Sequence, residues 1–200
     1  VTSVPGALPI TGALLAGGQG LRLGGALKAE LRVAGERLLD RSLRFLGGLC
    51  AEVLVLPGPH VLASTGSALM VPDALPDRGP PAALLAALET AAFPFVFALG
   101  VDMPQPSDPA ARQLYDRIAG ADAALYVRDG RPEPLFGFYG KRCAAPFRDR
   151  LERGSAPFAQ LLALVTPRLV ALSEAPPADR DGRFLASVNT PADAAALGIE

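Results

Sequence analysis

The stretch "FPFVFAL", residues 93–99, is apolar from end to end. A strand with one wet face alternates apolar and polar residues. An unbroken apolar run of strand length instead points to both faces being covered, as in a parallel sheet held between helix layers. Directly before it, "PPAALLAALETAA" opens with Pro80 and Pro81 and carries leucines at 84, 85 and 88, the pattern of a helix with proline in its first turn. Other β-compatible runs stand at "ITGALLA" (10–16), "AEVLVL" (51–56), "SALMV" (67–71) and "ADAALYV" (121–127). Stretches with helical spacing separate them, such as Leu39, Leu43, Phe45, Leu46 and Leu49. The alternation predicts an α/β protein, a three-layer α/β/α arrangement around a mostly parallel central sheet.

The rhythm changes after residue 128. "DG" at 129–130 signals a turn and "EPLFGFY" (133–139) reads as another strand, so the sheet is expected to be mixed. Helices over 141–153 and 156–165, a strand near 168–172 and a last helix opened by "NTPAD" complete the reading. Two hundred residues suit one domain, 1–200, with a substantial core. Half the residues are apolar, a fifth are charged and the net charge is −1, which excludes a global field that would gather nucleic acid or an acidic membrane. Any anion site must be local. No apolar run reaches the roughly 18 residues of a membrane span, and Val1 opens no signal-peptide pattern, so the expectation is a cytoplasmic protein. Cys50 and Cys143 form no CxxC pair, and the lone His60 reads as a surface-loop residue.

Such a local site is suggested by "LLAGGQGLRLGGALK", residues 14–28, a glycine-rich loop behind the first strand with cations at Arg22 and Lys28. A dinucleotide fingerprint starting at Gly18 needs a third glycine where Leu23 stands, and a Walker loop needs Ser or Thr after its lysine, where Ala29 stands. Two readings remain. The loop is either a cradle whose amides and two cations face a triphosphate, or a plain strand-to-helix turn with solvated cations.

The same stretch resembles the signature LAGGxSxRMGxxDK of the molybdenum cofactor guanylyltransferases. Leu15, Ala16, Gly17, Gly18, Arg22, Gly24 and Lys28 fall on family positions, while Gly20, Leu23 and Leu27 replace its serine, methionine and aspartate. With Leu27 there, Lys28 lacks an adjacent carboxylate. "VPDALPDRGPPAAL", "LGVDMPQP", "EPLFGFY" and "ASVNTPADAAAL" follow in the family's order, with Ala83 where a glycine is usual and Ser187 for the first asparagine of "NVNTPEDL". The resemblance spans about residues 10–198 and implies a Rossmann-like nucleotidyltransferase fold.

It also implies a reaction: transfer of GMP from GTP to the phosphate of molybdopterin, or its molybdenum-loaded form, with release of pyrophosphate. Asp102, just past a buried strand, would hold Mg²⁺; its other reading is a turn or helix-cap residue before Pro104. Arg22 and Lys28 would face the triphosphate, and Leu15, Ala16, Gly17, Gly18 and Asp73 would bind the nucleotide, Asp73 alternatively being a turn residue. Asn189 and Thr190 border the site on the substrate side or cap the last helix. Arg78 is an exposed loop arginine or a contact for the pterin-side phosphate. Leu56 stands where guanylyl relatives often carry asparagine. Maturation proteins of molybdenum enzymes are the implied protein partners. Two alternatives stay open: a cytidylyl- or nucleotide-sugar-type transferase, and a non-catalytic molybdopterin-binding or delivery protein.

Overall fold

The structure, a computed structural model, describes residues 6–17, 19–20, 26–62 and 64–199. In chain order the elements are β1 (Leu8–Leu15), β2 (Gln19–Gly20), β3 (Ala26–Leu27), β4 (Arg32–Val33), β5 (Glu36–Arg37), α1 (Leu38–Leu49), β6 (Cys50–Leu56), β7 (Leu69–Met70), α2 (Pro80–Thr90) and β8 (Phe95–Gly100). Then follow α3 (Asp108–Arg117), β9 (Ala123–Arg128), β10 (Arg131–Gly140), α4 (Ala144–Glu152), α5 (Phe158–Leu162), β11 (Pro167–Ala171) and α6 (Pro191–Ala196).

Seven strands form one sheet in the order β11-β9-β10-β8-β1-β6-β7. β1 pairs in parallel with β6 and β8, β6 with β7, and β11 with β9, whereas β10 runs antiparallel to both its neighbours. The sheet is therefore mixed and mostly parallel, as the apolar runs and the DG turn imply. Side-chain alternation sends Ile10, Leu14, Val55, Phe97 and Leu99 to one face, where they meet α1 and α3 through Leu39, Leu46 and Leu114. Ala13, Leu15, Leu54, Leu56, Val96 and Ala98 point to the other, against α2 and α4 through Leu84, Leu88 and Phe147. Each fully buried leucine in these layers contributes roughly 1.5–3 kcal/mol by leaving water.

The differences from the sequence reading have local causes. The run 93–99 becomes a strand only at Phe95, because Pro94 has no N–H to give a ladder. "SALMV" shortens to Leu69–Met70 at the sheet edge, and the helix expected over 156–165 to Phe158–Leu162. α3 is absent from the sequence reading although its start is well marked: the Ser107 hydroxyl accepts from the Ala110 N–H at 3.2 Å, with Pro109 in the first turn. β10 departs from regularity between Pro132, opposite Val127, and Gly137, opposite Leu125, so that residues 133–136 stand against Tyr126 alone. No helix among the described residues is long and apolar enough to cross a membrane.

Candidate active site

The ends of β1, β6 and β8 all lie at one edge of the sheet, where ligands of open α/β sheets bind. There the chain encloses a cavity of about 670 Å³. Its floor is backbone. The Val101 N–H donates to the Leu15 carbonyl at 3.1 Å and the Ala16 N–H to the Leu56 carbonyl at 2.9 Å, which ties the end of β1 on both sides. Gly17 and Gly58 touch: a Cβ on Gly17 would lie 3.0 Å from the Gly58 Cα. Two backbones can approach this closely only without side chains. Gly58, which the sequence reading left out, was signalled by "PGP" directly after a buried strand.

Lys28 sits in a short 3₁₀ turn after β3 and is 9% exposed. Its Nζ donates to Asp102 Oδ2 at 2.6 Å and to Asn189 Oδ1 at 2.7 Å. The carboxylate that Leu27 does not supply thus comes from 74 positions away, and an amide from 161. Asp102 follows β8 and lines the cavity; a Cβ at Gly100 would come within 2.8 Å of its Oδ1, so the glycine makes room for the carboxylate. Its reading as a helix cap fails, since Ser107 caps α3. The Val188 N–H donates to the Asp102 carbonyl at 2.9 Å, docking the segment before α6 onto the same residue.

Asn189 and Thr190 divide the two roles the sequence allowed them. Thr190 is a cap: its hydroxyl accepts from the Asp193 N–H at 3.1 Å, and Asp193 Oδ2 accepts from the N–H groups of Thr190 and Asn189. Those N–H groups, with Lys28 nearby, hold the Asp193 carboxyl below the usual carboxylate range. The Asn189 side chain instead faces the site, with its Nδ2 donating to Ser187 Oγ at 2.9 Å and its Oδ1 turned to Lys28.

Asp73 lines the cavity with Leu15 and Gly17. Its Oδ1 is buried without a hydrogen-bond partner among the described residues, and burial pushes its carboxyl up. An unpaired buried carboxylate oxygen costs stability, on the order of 1–3 kcal/mol, and a ligand that donates to it recovers that cost. Leu56 and Ala83, both departures from the family pattern, form apolar wall. Arg78 is half-buried between Asp77 and Gly79, which both line the cavity. His60 lies in a loop as expected but is half-buried there, with its Nε2 buried and unpartnered among the described residues. Gly18 and Arg22 lie outside the described residues.

Among the described residues no three His, Cys, Asp or Glu side chains gather as a metal cage. Asp102 alone, with one oxygen on Lys28 and the other toward the space left by Gly100, fits a cation that takes most of its oxygens from phosphate and water, the habit of Mg²⁺.

Residues 12–167 match the MobA-like NTP transferase domain. A probable molybdenum cofactor guanylyltransferase of Pelotomaculum thermopropionicum is 30% identical over 187 residues, covering 93% of this chain and 90% of that protein. One from Synechococcus elongatus is 32% identical over 195 residues, covering 93% and 96%. In fold the chain is similar to molybdopterin-guanine dinucleotide biosynthesis protein A of Archaeoglobus fulgidus, with a TM-score of 0.82 at 22% identity over 94% of this chain and 96% of that one. With its matching domain and its relatives at 30% identity and more along nearly its whole length, the chain belongs to the MobA-like NTP transferase family.

Proposed function

We propose that the protein transfers GMP from GTP to the phosphate of molybdopterin, releasing pyrophosphate. The observation that carries this reading is the joining of Lys28, Asp102 and Asn189 at a cavity also lined by Asp73, whose Oδ1 has no hydrogen-bond partner among the described residues. The names of the relatives, guanylyltransferases of the molybdenum cofactor, support the substrates.

An oxygen of the acceptor phosphate attacks the α-phosphorus as the bond to the β-phosphate oxygen breaks in line with it, and the electron pair leaves with pyrophosphate. The nucleophile is already an anion, so no base is needed; alignment and charge neutralisation carry the rate. Lys28 has three N–H donors and uses two on Asp102 and Asn189, leaving one for a phosphoryl oxygen without releasing either partner. The Gly17 N–H supplies a backbone donor, and Arg22 is assigned to the pyrophosphate by the match of its position. Asp102 would hold Mg²⁺, which would supply positive charge to offset that of the phosphoryl oxygens. Asp73 accepts from the N1 and N2 hydrogens of guanine beside the edge of Leu15, Ala16 and Gly17; adenine and cytosine lack that donor pair in that arrangement.

Thermal shift with GTP, CTP, ATP and UTP, each with and without Mg²⁺, tests this, because a ligand bound to the native state raises stability by mass action. GTP with Mg²⁺ is expected to give the largest shift. Stabilisation by CTP alone overturns the guanine reading, and no shift with any nucleotide favours a delivery protein.

A further inference from the structure

A second hollow opens at the same edge of the sheet. It measures about 440 Å³ and is lined by Arg128 and Asp129 from the end of β9 and Arg131, Pro132 and Glu133 from the start of β10. The irregularity in β10 builds it. Glu133, Pro134 and Leu135 pair with neither β8 nor β9, and Pro134 is pinned by its carbonyl accepting from the hydroxyl of the fully buried Tyr139 at 2.8 Å. Bulges of this kind re-aim side chains beside active sites. Here Leu135 lines the first cavity and Glu133 the second, so the two hollows adjoin across two residues of one strand.

The lining has a distinct chemistry. The half-buried Glu133 carboxylate accepts only from the Leu135 N–H among the described residues, at a long 3.4 Å. Burial raises its carboxyl, Leu135 and Arg128 oppose this, and Asp102 is near enough for its charge to add to the rise. Neither Arg128 nor Arg131 forms an ion pair among the described residues, whereas eight other arginines do. A lone phosphate would meet the carboxylate, and a cation would meet both guanidiniums. A neutral heterocycle with N–H groups beside a carbonyl meets an acceptor and donors in the matching order.

We propose that this hollow seats the 2-amino-4-oxopyrimidine edge of the pterin, with Glu133 accepting from its amino and ring N–H groups and Arg128 and Arg131 donating to its carbonyl oxygen. This rests on the acceptor being a molybdopterin phosphate and adds which residues hold its ring. The phosphate end then reaches Asp102 while the ring lies along the β9–β10 hairpin.

The test uses neopterin monophosphate, a stable pterin phosphate whose own fluorescence is clear of protein signal because the chain has no tryptophan. Binding is followed by polarisation, and GTP affinity by thermal shift. Glu133→Gln is expected to weaken the probe at least about tenfold, as a charge-assisted pair becomes a neutral one, with GTP affinity unchanged within about twofold. Arg131→Ala, at an exposed position that spares the fold, is expected to weaken it about threefold to tenfold. Equal binding by wild type and both variants overturns the assignment, as does no binding to the wild type. Competition of the probe with GTP does so too, since the ring then sits in the nucleotide cavity. A wild type that binds the probe with these losses but binds no GTP supports the pterin subsite and overturns the GMP reading instead.

Discussion

The two sides of this sheet edge are built from different materials. Around Gly17 and Gly58 the wall is main chain, two glycine backbones in contact and a strand end tied to its neighbours on both sides. Around Asp102, Asn189 and Glu133 it is side chains, brought from β8, from the approach to α6 and from the bulge of β10. A backbone wall needs glycine at fixed places and so leaves a short local motif. A side-chain wall needs only that the topology bring its parts together, and leaves scattered single residues.

Removing a charge should separate the two sides most. Asp102→Ala is expected to lower pyrophosphate release about 100- to 1000-fold in a turnover assay. It also leaves Lys28, whose side chain is 11% exposed, with Asn189 but no carboxylate, at a cost of about 1–3 kcal/mol in denaturant unfolding after allowance for the partial exposure of the pair. Full activity would remove Asp102 from the mechanism. On the backbone side, Gly17→Ala forces a methyl against Gly58 and should cost about 1–3 kcal/mol and weaken GTP binding, whereas Gly130→Ala in the hairpin meets nothing within 4 Å and pays only for its φ of +74°, about 1 kcal/mol. Equal costs by chemical denaturation would mean that the glycine contact is not tight.

Asp73→Asn should weaken GTP binding about tenfold yet stabilise the ligand-free protein at neutral pH by about 1 kcal/mol. The sign follows from burial. The folded carboxyl is raised, so its charge is a burden above that raised value and is relieved as pH falls through it. The advantage of the variant should therefore shrink in acid, and an advantage that grows there would contradict the burial argument. The smallest effect is expected from Asn189→Ala, which leaves Lys28 with Asp102 alone and should raise the KM for GTP a few-fold, about 1 kcal/mol.

What could be read from the chain follows the same division. The sheet was legible because strands such as β8 bury both faces and cannot hide a polar residue. Lys28 and Asp102 were legible as members of motifs, but their pairing was not, because 74 positions separate them and nothing local records which strand ends will meet. Asn189 looked equally like a cap and a site residue; the capping bond that Thr190 accepts from Asp193 leaves it free for Lys28. "EPLFGFY" read as an ordinary strand, yet Pro132 and Pro134, two residues apart and unable to donate to a ladder, already announced the break in pairing beside Glu133.

The bond from Lys28 to Asn189 also sets an order of events during synthesis. A chain leaving the ribosome has β1, β6 and β8 available to pair long before residue 189 emerges, so the glycine contact can form early while the lysine keeps one partner only. The side-chain wall is completed when the segment docking on Asp102 arrives, through contacts of long sequence separation and hence of large loop-closure cost. A growing chain therefore has the glycine wall of its cavity before it has the lysine fixed at the other.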